Sequence, residues 1–443
     1  MMRTRRDFLK LATAIAGSRG LLRAQQPLLS DYKALVCVFL FGGNDGNNMI
    51  VPMEQNAYAT YRKGRGVVAL PIATLSPLSA QGQAYGLHPE LSPVRDLYLK
   101  KRVAILANTG MLVAPVKRSD YLVGKANTPR NLYSHSDQVL EWQAGNGKGG
   151  SASGWGGRAM DILQPDSSGA KLSPAVSVAG NSLLLTGQNT TPANLSPGNQ
   201  FGLETISTSK ADTARLTSLQ EILALDTGAK LVSATGGVLA RGLSSAQAVR
   251  AALAGAPTLK TAFPQSDLGN QLKQIAQILA IRDDVGANRQ VFFCSQGGYD
   301  NHTGLLAGQG ARFAELGPAL AAFYAATEEL GIAPSVTTFT ASEFGRTFNP
   351  SSTDGADHAW GSHHVVMGGS VSGGEMYGQF PSLDLQGPDD AGDRGTWIPT
   401  TSLDQYGATL ASWFGVAGSG LNTVFPNLAN FEAGNGAGML GFL

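Results

Sequence analysis

The chain has 443 residues, 43% of them hydrophobic and 15% charged, with a formal net charge of +1. The apolar share suffices for a large core, and the near-neutral charge excludes a basic face built for nucleic acid or for an anionic membrane surface. The two cysteines, Cys37 and Cys294, lack CxxC spacing, which excludes a structural thiolate cluster made by one chain.

The chain opens Arg3-Thr4-Arg5-Arg6-Asp7-Phe8-Leu9-Lys10, and paired arginines before Phe-Leu-Lys begin a twin-arginine export signal. The apolar stretch behind it, Leu11 to Gly17 and Leu21-Leu22, is broken by Arg19 and is too short to span a bilayer. Residues 1–26 are therefore read as the signal, with the mature chain starting between Ala24 and Pro27; a basic arm that stays attached is the alternative. The reading implies the twin-arginine export machinery as a partner and a periplasmic or extracellular location. No later segment approaches transmembrane length, so no membrane anchor is expected.

Ala34 to Phe41 is a continuous apolar, β-branched and aromatic run, the pattern of a strand buried on both faces of a parallel sheet. Leu91, Val94 and Leu97 keep helical spacing before a strand at Val103 to Ala107, and a helix-like run leads from Tyr133-Ser134-His135-Ser136-Asp137 to Gly145. A strand at Ala175 to Val178 precedes a less periodic Ser/Thr/Ala/Gly-rich stretch, read as an inserted cap over about 183–261 with a helix near Ala246 to Leu253. Leu272, Ile275 and Leu279 mark an amphipathic helix before a strand at Val291 to Cys294. A helix with Pro318 in its first turn and its end at Gly331 follows, then strands at Val336 to Thr340 and His364 to Met367. Strands alternating with helices imply an α/β fold, a mainly parallel central sheet with helices on both faces. Each cysteine falls inside a strand-like run, as a buried free thiol or as half of a disulfide between neighbouring strands.

Functional groups of open α/β sheets collect beyond the carboxyl ends of the strands, and four polar clusters fall there. Gly42-Gly43-Asn44-Asp45-Gly46-Asn47-Asn48 follows the first strand, as an ordinary turn or as the mount of a carboxylate at Asp45. Gly297-Gly298-Tyr299-Asp300-Asn301-His302 brings a carboxylate and an imidazole together, as a metal or an acid/base pair needs. Ser342-Glu343-Phe344-Gly345-Arg346 offers a carboxylate beside an arginine, as a salt bridge or as part of a site. Asp357-His358-Ala359-Trp360-Gly361-Ser362-His363-His364 enters the last strand of the sheet. Of the six histidines, four lie in these clusters and His135 heads the helix-like run; only His88 lies outside. That concentration beside Asp and Glu implies one metal or acid/base site, and mixed imidazole and carboxylate ligands suit Zn, Mn or Fe.

Taken in order, FGGNDGNN, LHPEL, SHSDQVLEWQAG, GGYDNHTG, SEFGRT and DHAWGSHHVVMGG, behind the twin-arginine start, resemble the bacterial exported proteins grouped as domain of unknown function 1501, over essentially the whole chain. The resemblance implies an alkaline phosphatase/sulfatase-like fold over residues 30–443. It matches Asp45 to that superfamily's first metal carboxylate, Asp300 and His302 to the next pair, and His358 to the last histidine. It departs at Glu343-Phe344, where Asp-His is expected, and leaves Ser134, His135 or Ser136 at the nucleophile position. The expectation is a metal-dependent hydrolase of phosphate or sulfate esters on an anionic small molecule or polymer. A divalent metal is expected on Asp45, Asp300, His302, Glu343 and His358. Ser134 or His135 is expected to attack or relay a proton, and Arg346 or Asn44 to contact the anion. The alternative is a non-catalytic binding or assembly protein on the same fold.

Overall fold

Lys33–Leu40 (β1) is buried from Ala34 to Leu40 on both faces, as its unbroken apolar sequence requires. The further strands are β2 (Ile50–Pro52), β3 (Ser76–Ala80), β4 (Gln83–Leu87), β5 (Val103–Gly110), β6 (Ala175–Ser177), β7 (Ala193–Asn194), β8 (Arg289–Gln296), β9 (Val336–Ala341), β10 (Ser362–Gly368), β11 (Met376–Tyr377) and β12 (Thr401–Ser402). The helices that frame them are α1 (Gly46–Met49), α2 (Gln55–Arg65), α3 (Ser92–Leu99), α4 (His135–Ala144), α5 (Trp155–Leu163), α6 (Lys210–Leu223), α7 (Lys230–Gly255), α8 (Asp267–Ala280), α9 (Leu305–Glu329) and α10 (Leu403–Phe414). This computed structural model describes residues 31–164, 170–195, 197, 209–225, 228–431 and 438–443. The export signal read over residues 1–26 lies outside the described residues.

The nine-stranded sheet runs β11-β5-β10-β9-β1-β8-β6-β7, with β12 also paired to β5. β1 pairs in parallel with β8 and β9, and β6 with β7 and β8; β10 runs against β5 and β9. The loop joining β9 to β10 has no crossover helix to return the chain, so β10 must come back antiparallel. Leu35, Cys37 and Phe39 share one buried cluster with Trp155 of α5 and Tyr406 of α10. Val36 and Val38, on the opposite face, are equally buried; α8 packs on β8 and α9, and α3 on β5. The sheet is thus mainly parallel and covered on both faces, as its strand sequences imply.

Two details differ from the sequence reading. Pro318 lies deep inside α9 rather than in its first turn. An interior proline removes a hydrogen bond, but Leu305, Phe313, Leu316, Leu320 and Phe323 are buried along this helix and hold it together. Second, Leu184 and Leu185 belong to the main core and β7 to the sheet, so the first residues of the expected cap are core; among the described residues, α6 and α7 follow β7 ahead of α8. Of the two states expected for the cysteines, the structure has the first: Cys37 and Cys294 sit on adjacent strands as free buried thiols, and the Cys294 thiol donates to the Cys37 carbonyl at 3.3 Å. Among the described residues, no helix is long and apolar enough to cross a membrane.

Candidate metal centre

β8 and β9 flank β1, and the connection between them through α9 must pass over it. The loops after these three strands, together with the segment entering β10, therefore gather at one edge of the sheet. Gly42 and Gly43 let them meet, with φ of +116° and +83°, where a Cβ would stand 2.4 Å from the Asp300 nitrogen and 2.5 Å from the Phe344 ring. Only glycine fits both the backbone and the space.

The site centres on Oδ1 of Asp300. Nε2 of His302 lies 3.1 Å from it, Nε2 of His358 3.4 Å and Nε2 of His135 3.5 Å, and the Nε2 atoms of His302 and His358 are 3.1 Å apart. The other nitrogen of each ring is held from outside. His135 Nδ1 lies 2.9 Å from Glu343 Oε1, His302 Nδ1 3.1 Å from Asp357 Oδ1, and His358 Nδ1 2.8 Å from the Tyr133 carbonyl. Carbonyls and ionised carboxylates only accept, so each neutral ring carries its hydrogen on Nδ1 and turns the lone pair of Nε2 inward. Three lone pairs and a carboxylate oxygen then face one another, an arrangement that a cation relieves.

Glu343 is itself fixed, accepting from the Gly42 backbone at 2.7 Å and from the Ser342 hydroxyl at 3.3 Å. Its hydrogen bond raises the His135 imidazole above the usual range against the opposing effect of burial, whereas burial lowers His358. Burial pushes the Asp300 carboxyl up, but the hydrogen bond from Arg346 and the surrounding positive charges outweigh it and hold the carboxyl low. Arg394 does the same for Asp357. Asp300 and His302 have side chains 48% and 47% exposed, so the cluster opens to solvent and a ligand can reach it.

The structure brings together His135, Asp300, His302, Glu343, Arg346 and His358 from the sequence-predicted set, whereas Asp45, Ser134 and Asn44 are engaged elsewhere. Asp45 is a buried N-cap: one oxygen accepts from the backbone and side chain of Asn47 at 3.0 and 2.9 Å, and the other pairs with the buried Arg65. Both oxygens are spent, so Asp45 is not a ligand of this cluster. Ser134 turns its hydroxyl to Asp137 at 2.6 Å and Ser136 at 3.3 Å, and the side chain at the cluster is that of His135, the next residue. Arg346 is present but committed, its guanidinium donating to the carbonyls of Gly42, Gly43 and Ala356 and to Asp300. It is fully buried and ties the loops together rather than reaching for an anion. Asn44 is also buried, with its amide on the Met49 sulfur and the Gln309 side chain.

His363 and His364, grouped with the site by sequence proximity, lie inside β10 and are buried. His363 Nδ1 accepts from the Asn108 backbone at 3.1 Å, and His364 packs on Trp142 and Tyr406. Conversely, sequence gave no role to Asp357, to Arg394 or to the Tyr133 carbonyl, which orient the rings. Asp357 had a signal, its place beside His358; Arg394 and Tyr133 had none. The Phe344 ring lies 4.6 Å from His358 and 4.8 Å from His135 and walls the cluster on that side.

A metal fits these residues. One ligand atom from each of His135, Asp300 and His358 lies within 4.8 Å of the others, and the separations at Asp300, with His302 beside it, are 3.1 to 3.5 Å, near the ~3.3 Å between donors bound at ~2.0–2.1 Å to one tetrahedral ion. His135 Nε2 is in addition a buried nitrogen without a hydrogen-bond partner, and outer partners that fix Nδ1 are the usual second shell of metal-binding histidines.

The family model described as a protein of unknown function, DUF1501, matches residues 32–390. No curated protein matches the chain significantly in sequence. Among solved structures, Ps i-CgsB is 7% identical with a TM-score of 0.32, covering 88% of this chain and 73% of its own. The PsFucS1 sulfatase from Pseudoalteromonas sp. is 9% identical with a TM-score of 0.32, covering 85% and 68%. A mutant of the alkaline phosphatase PafA is 12% identical with a TM-score of 0.23, covering 72% and 64%.

Proposed function

The chain belongs to the DUF1501 family, and from the geometry of the site we propose that it is a hydrolase of phosphate or sulfate esters that depends on a single divalent metal ion. The observation that carries this is the convergence of His135, His302 and His358 on Asp300 with every Nδ1 held from behind. These four side chains would hold the ion; three imidazoles and one carboxylate suit Zn, Mn or Fe. When bound, the ion supplies Lewis acidity that neutralises charge developing on the transferred group. Glu343 accepts from His135 Nδ1 and so holds this ring in the orientation and tautomer that a ligand needs. Arg346 keeps Asp300 ionised and the loops in register. Because the Ser134 hydroxyl is bound to Asp137, water rather than a serine is the nucleophile in this reading.

Residues 1–26 serve on this proposal as the twin-arginine signal and deliver the protein to the periplasm or beyond, with α6 and α7 forming a cap on an alkaline phosphatase/sulfatase-like domain. Metal analysis combined with ester hydrolysis tests the enzymatic part. Purified protein should contain about one transition metal per chain and turn over phosphate or sulfate esters. Asp300→Ala and His302→Ala should lose both, and Ser134→Ala should keep both. Absence of a transition metal after loading with Zn, Mn and Fe overturns the reading.

A second reading, a non-catalytic binding or assembly protein, is favoured by one pair of observations: Asp45 is neutralised by Arg65, and Phe344 occupies the flank of the cluster. A metal-loaded protein that hydrolyses no phosphate, sulfate or phosphonate ester would support it.

A further inference from the structure

We propose that a groove between α2, the β3–β4 hairpin and residues 379–383 is a binding site for a neutral saccharide. It has a volume of about 540 Å³, within the range of small-molecule sites, and shares no residue with the Asp300 cluster, so the inference stands apart from the metal reading. No charged side chain lines it among the described residues. An anionic or cationic ligand finds no counter-charge, and recognition falls to neutral hydrogen-bonding groups and aromatic faces.

Those groups are unspent in the complementary senses that hydroxyls require. The Gln81 amide nitrogen donates to the carbonyls of Met376 and Gly378, both at 3.0 Å, and leaves its oxygen as an acceptor. Gln83 accepts from the Tyr85 hydroxyl at 3.3 Å and leaves its amide nitrogen as a donor. Asn56 and Gln379 are exposed and offer both, since neither side chain is hydrogen-bonded among the described residues. A sugar hydroxyl donates once and accepts twice, so a ring of vicinal hydroxyls needs such a mixture of planar amides.

Phe380 adds an apolar plate. It is half-buried, stacked on His363 with centroids 4.9 Å apart and planes 11° from parallel, and set 5.1 Å from the Tyr85 ring. Backed by these two rings, Phe380 is held before a ligand arrives, which lowers the ordering cost of binding. A flat, fixed ring beside hydroxyl-binding amides matches a pyranose, whose C–H face is apolar and whose rim is polar.

The test uses the full-length protein and four neutral hexasaccharides (cellohexaose, maltohexaose, laminarihexaose and xylohexaose) in calorimetric titrations. At least one should bind. Phe380→Ala should weaken it by about fivefold or more, and the exposed pair Asn56→Ala with Gln379→Ala should weaken it comparably with an unchanged melting temperature. The proposal is overturned if none of the four binds, or if the double amide variant binds as well as the parent.

Discussion

His302 and His358 point their Nε2 atoms at each other across 3.1 Å while their Nδ1 atoms are anchored outward, on the Asp357 carboxylate and the Tyr133 carbonyl. Two imidazoles held this way present paired lone pairs, which is a disposition toward a cation. His135 repeats it from α4 with Glu343 behind. Three segments distant in the chain thus apply one device, an outer acceptor that fixes the tautomer and aims the inner nitrogen.

Glu343→Gln should leave the fold intact while weakening metal binding by about 10–100-fold, as loss of an outer partner does. The amide retains an acceptor for the Gly42 backbone but no longer supplies the negative charge that makes His135 a stronger donor to the ion. Competition against a chelator of known affinity measures the change. Equal affinity in parent and variant would remove Glu343 from the centre.

Asp45→Asn should act on stability and spare the metal. It leaves the buried Arg65 without its counter-charge, and breaking a buried pair by removing one partner costs about 3–5 kcal/mol. Urea unfolding reads the loss, and the metal content of the folded fraction should match that of the parent. A variant that folds normally yet binds no metal would return Asp45 to the ligand set.

Glu141 predicts a pH dependence. It is buried in α4, and burial, partly offset by a hydrogen bond from Gln138, pushes its carboxyl up to about 8. The folded state thus binds the proton more tightly than the unfolded chain. The associated stabilisation is complete below the unfolded value, ordinarily near 4.3, and is lost as pH rises through about 8. Glu141→Gln, uncharged at every pH, should show a flatter melting-temperature profile between pH 5 and 8. A parallel decline in both proteins would contradict this.

Cys37 and Cys294 should be unreactive in the native protein. Burial raises both thiols, leaving little thiolate to react. A thiol reagent should label neither in native buffer and both in denaturant without a reductant. Failure to label the denatured, unreduced protein would mean a disulfide.

Much of this protein is legible in its sequence. The unbroken apolar runs at Ala34 to Phe41 and Val291 to Cys294 read as strands buried on both faces, because they are short, rich in β-branched and aromatic residues, and lack a polar alternation. The Asp300-Asn301-His302 and Asp357-His358 pairs sit where loops leave or enter such strands, so the pattern alone points to a candidate site there. Which carboxylates serve it does not follow. Asp45 has the position of a ligand, but its charge is answered by Arg65, a helix residue twenty positions on whose approach depends on packing. His363 and His364 are five and six residues past His358, yet the strand they belong to carries them into the interior. Sequence determined the strands and the residue types at their ends, because periodicity and burial are local properties. Tertiary structure decided which of those residues meet, because a lone pair or a charge is free or spent only according to what packs against it.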